Sequence, residues 1–345
     1  MAQSYEITDI GVLPGGSYSF GYAINDSGQV AGYGNTASTN HAFSWASGSL
    51  TDIGTLGGQA NSGASGINNA GVIVASGDQR SFTFQNGLRT ELAGLPSATF
   101  ANANGINNAG QIVGNSGSNA GSQAVVWNDG IIQPLGVLAP GGTSVAIDIN
   151  DAGFVVGTST SSSFRTRAVA WGTSGIVDLG VLPGKTESGA IGVNNAGQIV
   201  GYSGAANIDQ AVTWNNGVIS LLAPITGGRG GRAYDINEAG QIVGYSDVIG
   251  NFKATLWNNG TSYNLTDLLV NGDGWTLSQA IDINEVGQIT GNGFINGALH
   301  AFVLTPVPEP ELGLLFLAGV GVVVAAARRG KVSAPRRGVP SLPCP

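Results

Sequence analysis

Few residues of this chain have side chains suited to catalysis, and their spacing decides what remains possible. Two histidines, His41 and His300, each open a segment reading HisAlaPhe. Imidazole is a common base and metal ligand near neutral pH, but a residue recurring at one repeat position reads as structural. The single cysteine, Cys344, is next to last, which excludes Cys–His nucleophilic chemistry and cysteine-based metal sites within one chain. DINDAG at 148–153 has the outline of a calcium loop. Ala152 occupies a ligand place, however, and no Glu stands six residues past Gly153. Asp148, Asp235 and Asp282 share a repeat column. They could line a channel and hold a cation; turn hydrogen bonding is the plainer reading. No GxSxG sits on a strand–helix elbow, and no glycine loop precedes a helix. A glycosidase needs two carboxylates about 5–10 Å apart, and Glu91, Glu187, Asp209 and Asp273 offer too many pairings to choose from. The expectation is therefore no catalytic, cofactor-binding or metal-ligating residue.

What must position these side chains is a phrase repeated seven times. It reads AINDSGQVAGY at 23–33, GINNAGVIVAS at 66–76, GINNAGQIVGN at 105–115 and DINDAGFVVGT at 148–158. It returns as GVNNAGQIVGY at 192–202, DINEAGQIVGY at 235–245 and DINEVGQITGN at 282–292. Its fixed asparagine falls at Asn25, Asn68, Asn107, Asn150, Asn194, Asn237 and Asn284, at intervals of 39 to 47 residues. That period suits a four-stranded propeller blade or a helical-pair solenoid, and the strand signals within each unit select the blade. In the fifth unit, 188–194, 198–202, 210–214 and 217–221 are short apolar runs separated by Asn- and Gly-rich turns.

Small residues four positions before the fixed asparagine (Gly21, Ala64, Ala103, Ala146, Ala190, Ala233, Ala280) mark the crowded innermost strand. A strand of period two places the residues two positions later on the same face, with Ile24 and its equivalents on the other. The third strands end in Trp45, Phe84, Trp127, Trp171, Trp214, Trp257 and Leu304, read as filling between blades rather than as a sugar-stacking ring. Fourth strands are expected at 49–56, 88–95, 130–138, 175–182, 217–223 and 262–269. The seventh is missing, and YEITDIGVLPG at 5–15 matches LTDIGTLGG at 50–58, so the N-terminal strand supplies it. The expected fold is an all-β, seven-bladed β-propeller closed by strands from both ends of the chain.

Through residue 306 there are eight Lys and Arg against nineteen Asp and Glu, and such an acidic body argues against nucleic acid as a partner. Beyond Leu304 the pattern changes. ThrProValProGluPro (305–310) precedes an apolar run from Leu312 to Ala327, followed by Arg328 and Arg329. Sixteen residues are close to the length of a membrane-spanning helix, and flanking arginines favour the cytoplasmic side.

HisAlaPheSerTrp (41–45), HisAlaPheValLeu (300–304) and the GINNAGQIVG phrase resemble the HAF family of bacterial extracellular repeats. Val307, Pro308, Glu309 and Pro310, with the apolar run and Arg328–Arg329, resemble a PEP-CTERM sorting signal. The resemblance implies a Gram-negative bacterium, export, and recognition by an exosortase-type membrane enzyme. It implies no cofactor and transfers no activity. The opening MetAlaGlnSer has no basic, apolar leader and is similar to a mature start after signal-peptide cleavage. The expected layout is a propeller over 1–304, a Pro-containing linker over 305–311, a transmembrane helix and Arg pair over 312–329, and a disordered tail over 330–345. The expected role is a cell-surface binding or extracellular-matrix module, with exopolysaccharide as a candidate partner and the membrane contacted through 312–327. A propeller enzyme acting on extracellular glycans or esters, or a purely structural envelope protein, are the alternatives, because propellers host all three.

Overall fold

The computed structural model describes residues 3–173, 175–205 and 208–308. Strand β1 (Tyr5–Gly11) comes first. Blade one follows as β2 (Ser19–Ile24), β3 (Val30–Asn35), β4 (Asn40–Ala46) and β5 (Ser49–Gly54). Blades two to six repeat this meander as β6–β9 (63–92), β10–β13 (100–136), β14–β17 (144–178), β18–β21 (187–221) and β22–β25 (230–264). Blade seven consists of β26 (Trp275–Ile283), β27 (Ile289–Ile295), β28 (Ala298–Pro306) and, as its outer strand, β1. Closure is antiparallel, with Tyr5 opposite Pro306 and Ile7 opposite Leu304. The ring thus extends two residues beyond 304, because Thr305 and Pro306 pair with Glu6 and Tyr5. The joint is sealed from outside as well. Asn271 accepts the Ile7 N–H at 2.8 Å and donates to the Ile7 carbonyl at 3.2 Å.

Each blade buries its apolar side chains against its neighbours rather than around one centre. The buried apolar residues form seven clusters, one at each blade–blade interface. Trp127 and Trp214 are almost completely buried in two of them. The indole N–H groups of Trp127, Trp214 and Trp257 donate to the carbonyls of Ala93, Leu179 and Ala223 of the preceding blade. The tryptophans are core, as read from the sequence.

A buried serine straps neighbouring blades together. Ser19, Ser62, Ser144 and Ser188 donate to the carbonyls of Gly11, Gly54, Gly136 and Gly180 at the ends of outer strands. The same hydroxyls accept the N–H groups of Ala301, Ala42, Ala124 and Ala168. Those glycines have positive φ, which shortens the outer strands relative to the expected ranges. In blade six the expected strand 262–269 divides into β25 (Thr261–Asn264) and a 3-10 turn, Leu265–Leu268, capped by Asn264.

A second correction concerns the inner strands. Every one carries a β-bulge between the small residue and the position two residues later, for example between Ala103 and Gly105. The extra residue cancels the period-two alternation. Tyr22, Ser65, Asn104, Ile147, Ile191, Tyr234 and Ile281 therefore turn toward the axis together with the residues that follow them.

Glu309, Pro310, the apolar run 312–327, Arg328, Arg329 and the tail lie outside the described residues. Val307 and Pro308 lie outside regular strand. Among the described residues no helix is long and apolar enough to cross a membrane.

Deleting residues 1–11 would leave the hydrogen-bonding edge of β28 open and the serine strap at Ser19 without its carbonyl. The expected result is a lower melting temperature and self-association visible by light scattering. A truncated chain that stays monomeric and melts at the wild-type temperature would refute the closure argument.

Candidate functional site: the central channel and its two rims

The inner strands surround a channel of about 540 Å³. One rim is made by the turns between first and second strands, where the fixed asparagines lie. All seven are buried. The side-chain N–H of each donates to the backbone carbonyl of the next blade's asparagine. The chain of donors runs Asn25, Asn68, Asn107, Asn150, Asn194, Asn237, Asn284 and back to Asn25, at 2.9 to 3.2 Å. Each side-chain oxygen also accepts the N–H four residues on (Gln29, Val72, Gln111, Phe154, Gln198, Gln241, Gln288), which shapes the turn. Only a primary amide both donates outward and accepts locally at this place.

A second ring runs alongside. The residue after each fixed asparagine accepts the backbone N–H of its counterpart in the preceding blade. These acceptors are Asp26, Asn69, Asn108, Asp151, Asn195, Glu238 and Glu285, and this ring also closes. Four of the seven are acidic, so this rim is negative.

Inside the channel stand Asp148, Asp235 and Asp282. Their carboxylates accept the N–H groups of Val193, Ile283 and Ile24 of the following blades at 2.9, 3.0 and 2.7 Å. They line the channel, as one sequence reading had it. The plainer reading, local turn bonding, covers the second oxygens of Asp148 and Asp282, which accept the N–H groups of Ile149 and Ile283, while the bonds above run between blades. Asp235 and Asp282 also share a side-chain hydrogen bond. Burial, reinforced by the charge of Asp235, pushes the Asp148 carboxyl up to about 7. Burial raises Asp235 and Asp282 as well, and the neighbouring carboxyl raises Asp235 further. Two carboxyls that share a hydrogen bond titrate as a pair rather than as separate groups. Among the described residues no group of three or more His, Cys, Asp or Glu is arranged to hold a metal ion.

The histidines are remote from the channel. His41 pairs with Asp52 at 2.9 Å and His300 with Asp9 at 3.0 Å, between third and outer strands. Arg167–Asp178 at 3.1 Å and Arg80–Glu91 at 3.3 Å form the same clasp in other blades. A position that takes His or Arg interchangeably serves a structural ion pair.

The other rim departs from sevenfold regularity. Antiparallel meanders bring the starts of inner strands and the connections between second and third strands to one side. Blade one presents Phe20 stacked on Tyr33 at 5.0 Å and Tyr22 on Tyr33 at 5.8 Å. Blades five and six present Tyr202, Arg232, Tyr234, Tyr245 and Phe252, with Arg232 lying 4.1 Å over the Tyr202 ring. In blade seven Gln279 donates to the Tyr234 hydroxyl at 3.1 Å. The matching positions of blade two are Gly63, Ser65 and Ser76. Exposed apolar residues gather on the same side in blades four, six and seven, namely Phe164, Ile249 and Phe294. The sequence reading missed this rim, although Tyr33, Tyr202 and Tyr245 all end copies of the repeated phrase.

No family model matches the chain, and no curated protein matches it. Solved structures do. The extracellular domain of BT4673 from B. thetaiotaomicron is similar with a TM-score of 0.54 and 9% identity, over 87% of this chain and 40% of that one. TolB from Acinetobacter baumannii is similar with a TM-score of 0.43 and 11% identity, over 58% of this chain and 53% of that one. A gluconolactonase from Xanthomonas campestris follows with a TM-score of 0.42 and 9% identity, over 89% and 91% of the two chains. This chain thus spans about half or less of the first two. At these identities the likeness is one of fold.

Two predictions follow from the channel geometry. Asn284→Ala removes the donor to the Asn25 carbonyl, which keeps only the Gly28 N–H, and the acceptor for Gln288, whose part-buried N–H is left unpaired. The expected loss is about 2–4 kcal/mol in urea unfolding, and Asn284→Asp does not restore it because a carboxylate cannot donate. Asp148 is raised in the folded state, so its contribution to stability is full below an unfolded value of about 4 and is lost as pH rises through about 7. The stability difference between pH 4.5 and pH 8 should therefore change in Asp148→Asn, by at most about 4 kcal/mol. Identical pH profiles for variant and wild type would show that the carboxyl titrates normally.

Proposed function

We propose that this chain is an exported β-propeller that acts as a binding module for polymers of the cell surface or extracellular matrix, without catalysing their turnover. One observation carries the reading. Sevenfold regularity holds at the asparagine rim and fails at the opposite rim, where aromatic side chains and Arg232 replace Gly, Ser and Asn. Packing between blades does not require that departure, because blades two and three do without it. Aromatic faces beside planar hydrogen-bonding groups suit a polyhydroxylated ligand such as exopolysaccharide. The channel carboxyls support a binding role over a hydrolytic one, since each is engaged by backbone N–H groups.

Delivery rests on the resemblance to a sorting signal. In this proposal an exosortase-type enzyme reads Val307, Pro308, Glu309 and Pro310, while residues 312–327 hold the chain in the membrane and Arg328 and Arg329 remain on the cytoplasmic side.

The full chain on a glycan array, with the same glycans analysed for products, separates the readings. Retention of glycans with no new products is expected, and reducing ends or unsaturated products would establish the enzyme alternative. For sorting, Pro308→Ala with Glu309→Ala should leave the chain unprocessed in the membrane fraction of an exosortase-bearing host. Unchanged processing would remove the sorting proposal and leave the binding proposal standing.

A further inference from the structure

The geometry points to a saccharide subsite between blades five and six, built on Arg232, Asp209, Tyr202, Tyr245 and Phe252, that takes a neutral hexose unit. This inference rests on the binding reading above and gives it a place and a ligand class.

Arg232 occupies the start of an inner strand, where the other blades carry Phe20, Gly63, Asn102, Val145, Gly189 and Gln279. Its guanidinium carbon lies over the Tyr202 ring, 4.1 Å from the centroid, and the group is held by Asp209, at 2.7 Å from Nε and 2.6 Å from a terminal nitrogen. The pair is partly exposed, so both groups keep polar atoms toward solvent. The fork of Nε and one terminal nitrogen is spent on a single Asp209 oxygen, which leaves the remaining terminal N–H groups as donors and the other carboxylate oxygen as an acceptor for adjacent sugar hydroxyls.

Tyr245 continues the surface. It packs on Phe252 at 4.5 Å, and Phe252 is 46% exposed. Tyr245 covers one side of the Phe252 ring, and the rest stays open to solvent as a stacking face. Stacking on the C–H face of a hexose would cover it.

The backbone is shaped for this cluster. A Cβ at Gly189 would collide with the Tyr202 ring, and a Cβ at Gly204 would collide with the Asp209 carboxylate. Neither glycine has a positive φ, so the turn does not require them there.

Charge selects the ligand class. Around the cluster Arg165 pairs with Glu187, Arg229 with Asp247 and Arg232 with Asp209. These arginines are committed to carboxylates of this chain rather than free to pair with a uronate or sulfated sugar, and the body as a whole is acidic. An uncharged sugar keeps the Arg–Asp pair intact.

The test uses the full chain and four hexasaccharide probes, of glucose, mannose, galactose and galacturonic acid, followed by calorimetry. At least one neutral probe should bind, and oligogalacturonate should bind more weakly than that probe. Phe252→Ala and Arg232→Met should each weaken neutral binding by about tenfold, with an unchanged melting temperature for the exposed Phe252. Ser65→Ala, at the regular part of the same rim, should bind as wild type. Full neutral binding in both Phe252→Ala and Arg232→Met would overturn the subsite and leave the module a glycan binder through another surface. Preference for oligogalacturonate would overturn the ligand class. No binding of any probe, together with a blank glycan array, would overturn the parent reading along with this one.

Discussion

The amide of the fixed asparagine is the interaction on which this ring depends. One side chain closes its own turn through its oxygen and ties the next blade through its nitrogen. A typical hydrogen bond adds only about 1 kcal/mol net, but leaving a buried partner unmade costs more. Seven such bonds joined end to end mean that no blade can shift without breaking two of them. The ring of Asp, Asn and Glu acceptors beside it repeats the same logic with backbone donors. In blades six and seven Glu238 and Glu285 take this place with one more methylene.

Closure at one rim leaves the other free to vary. The serine straps, the buried tryptophans and the asparagine ring together hold the blades, and none of them uses the starts of the inner strands beyond the serine. Side chains there range from Gly63 to Arg232 without disturbing the register, because the bulge that follows each small residue recurs in every blade. The bulge also explains how the channel acquires two successive axial residues per blade. Tyr22 and Tyr234 thereby stand beside Ala23 and Asp235 on the axis.

The channel carboxyls show the cost of combining these demands. Asp148, Asp235 and Asp282 bind backbone N–H groups of the following blades, yet they sit where ionisation is disfavoured. A protonated carboxyl still accepts those bonds through its carbonyl oxygen, so the ties survive without the charge.

Much of this architecture was legible in the sequence. Blade number, strand order, the N-terminal strand in blade seven and the buried tryptophans follow from a repeat whose units each need the same turn, the same filler and the same small inner residue. The turn role of the asparagine was legible too, since an Asx turn is local. Its bond to the next blade was not, because a contact across about 43 residues leaves no mark on local spacing. The bulge was hidden for a similar reason. A single extra residue changes which way side chains point without changing composition, so period-two reasoning placed Ala103 and Gly105 on one face. The aromatic rim was visible only as scattered Tyr, Phe and Arg. Ring closure brings the starts of strands 40 residues apart to one edge, and that proximity alone turns Tyr202, Asp209 and Arg232 into a surface.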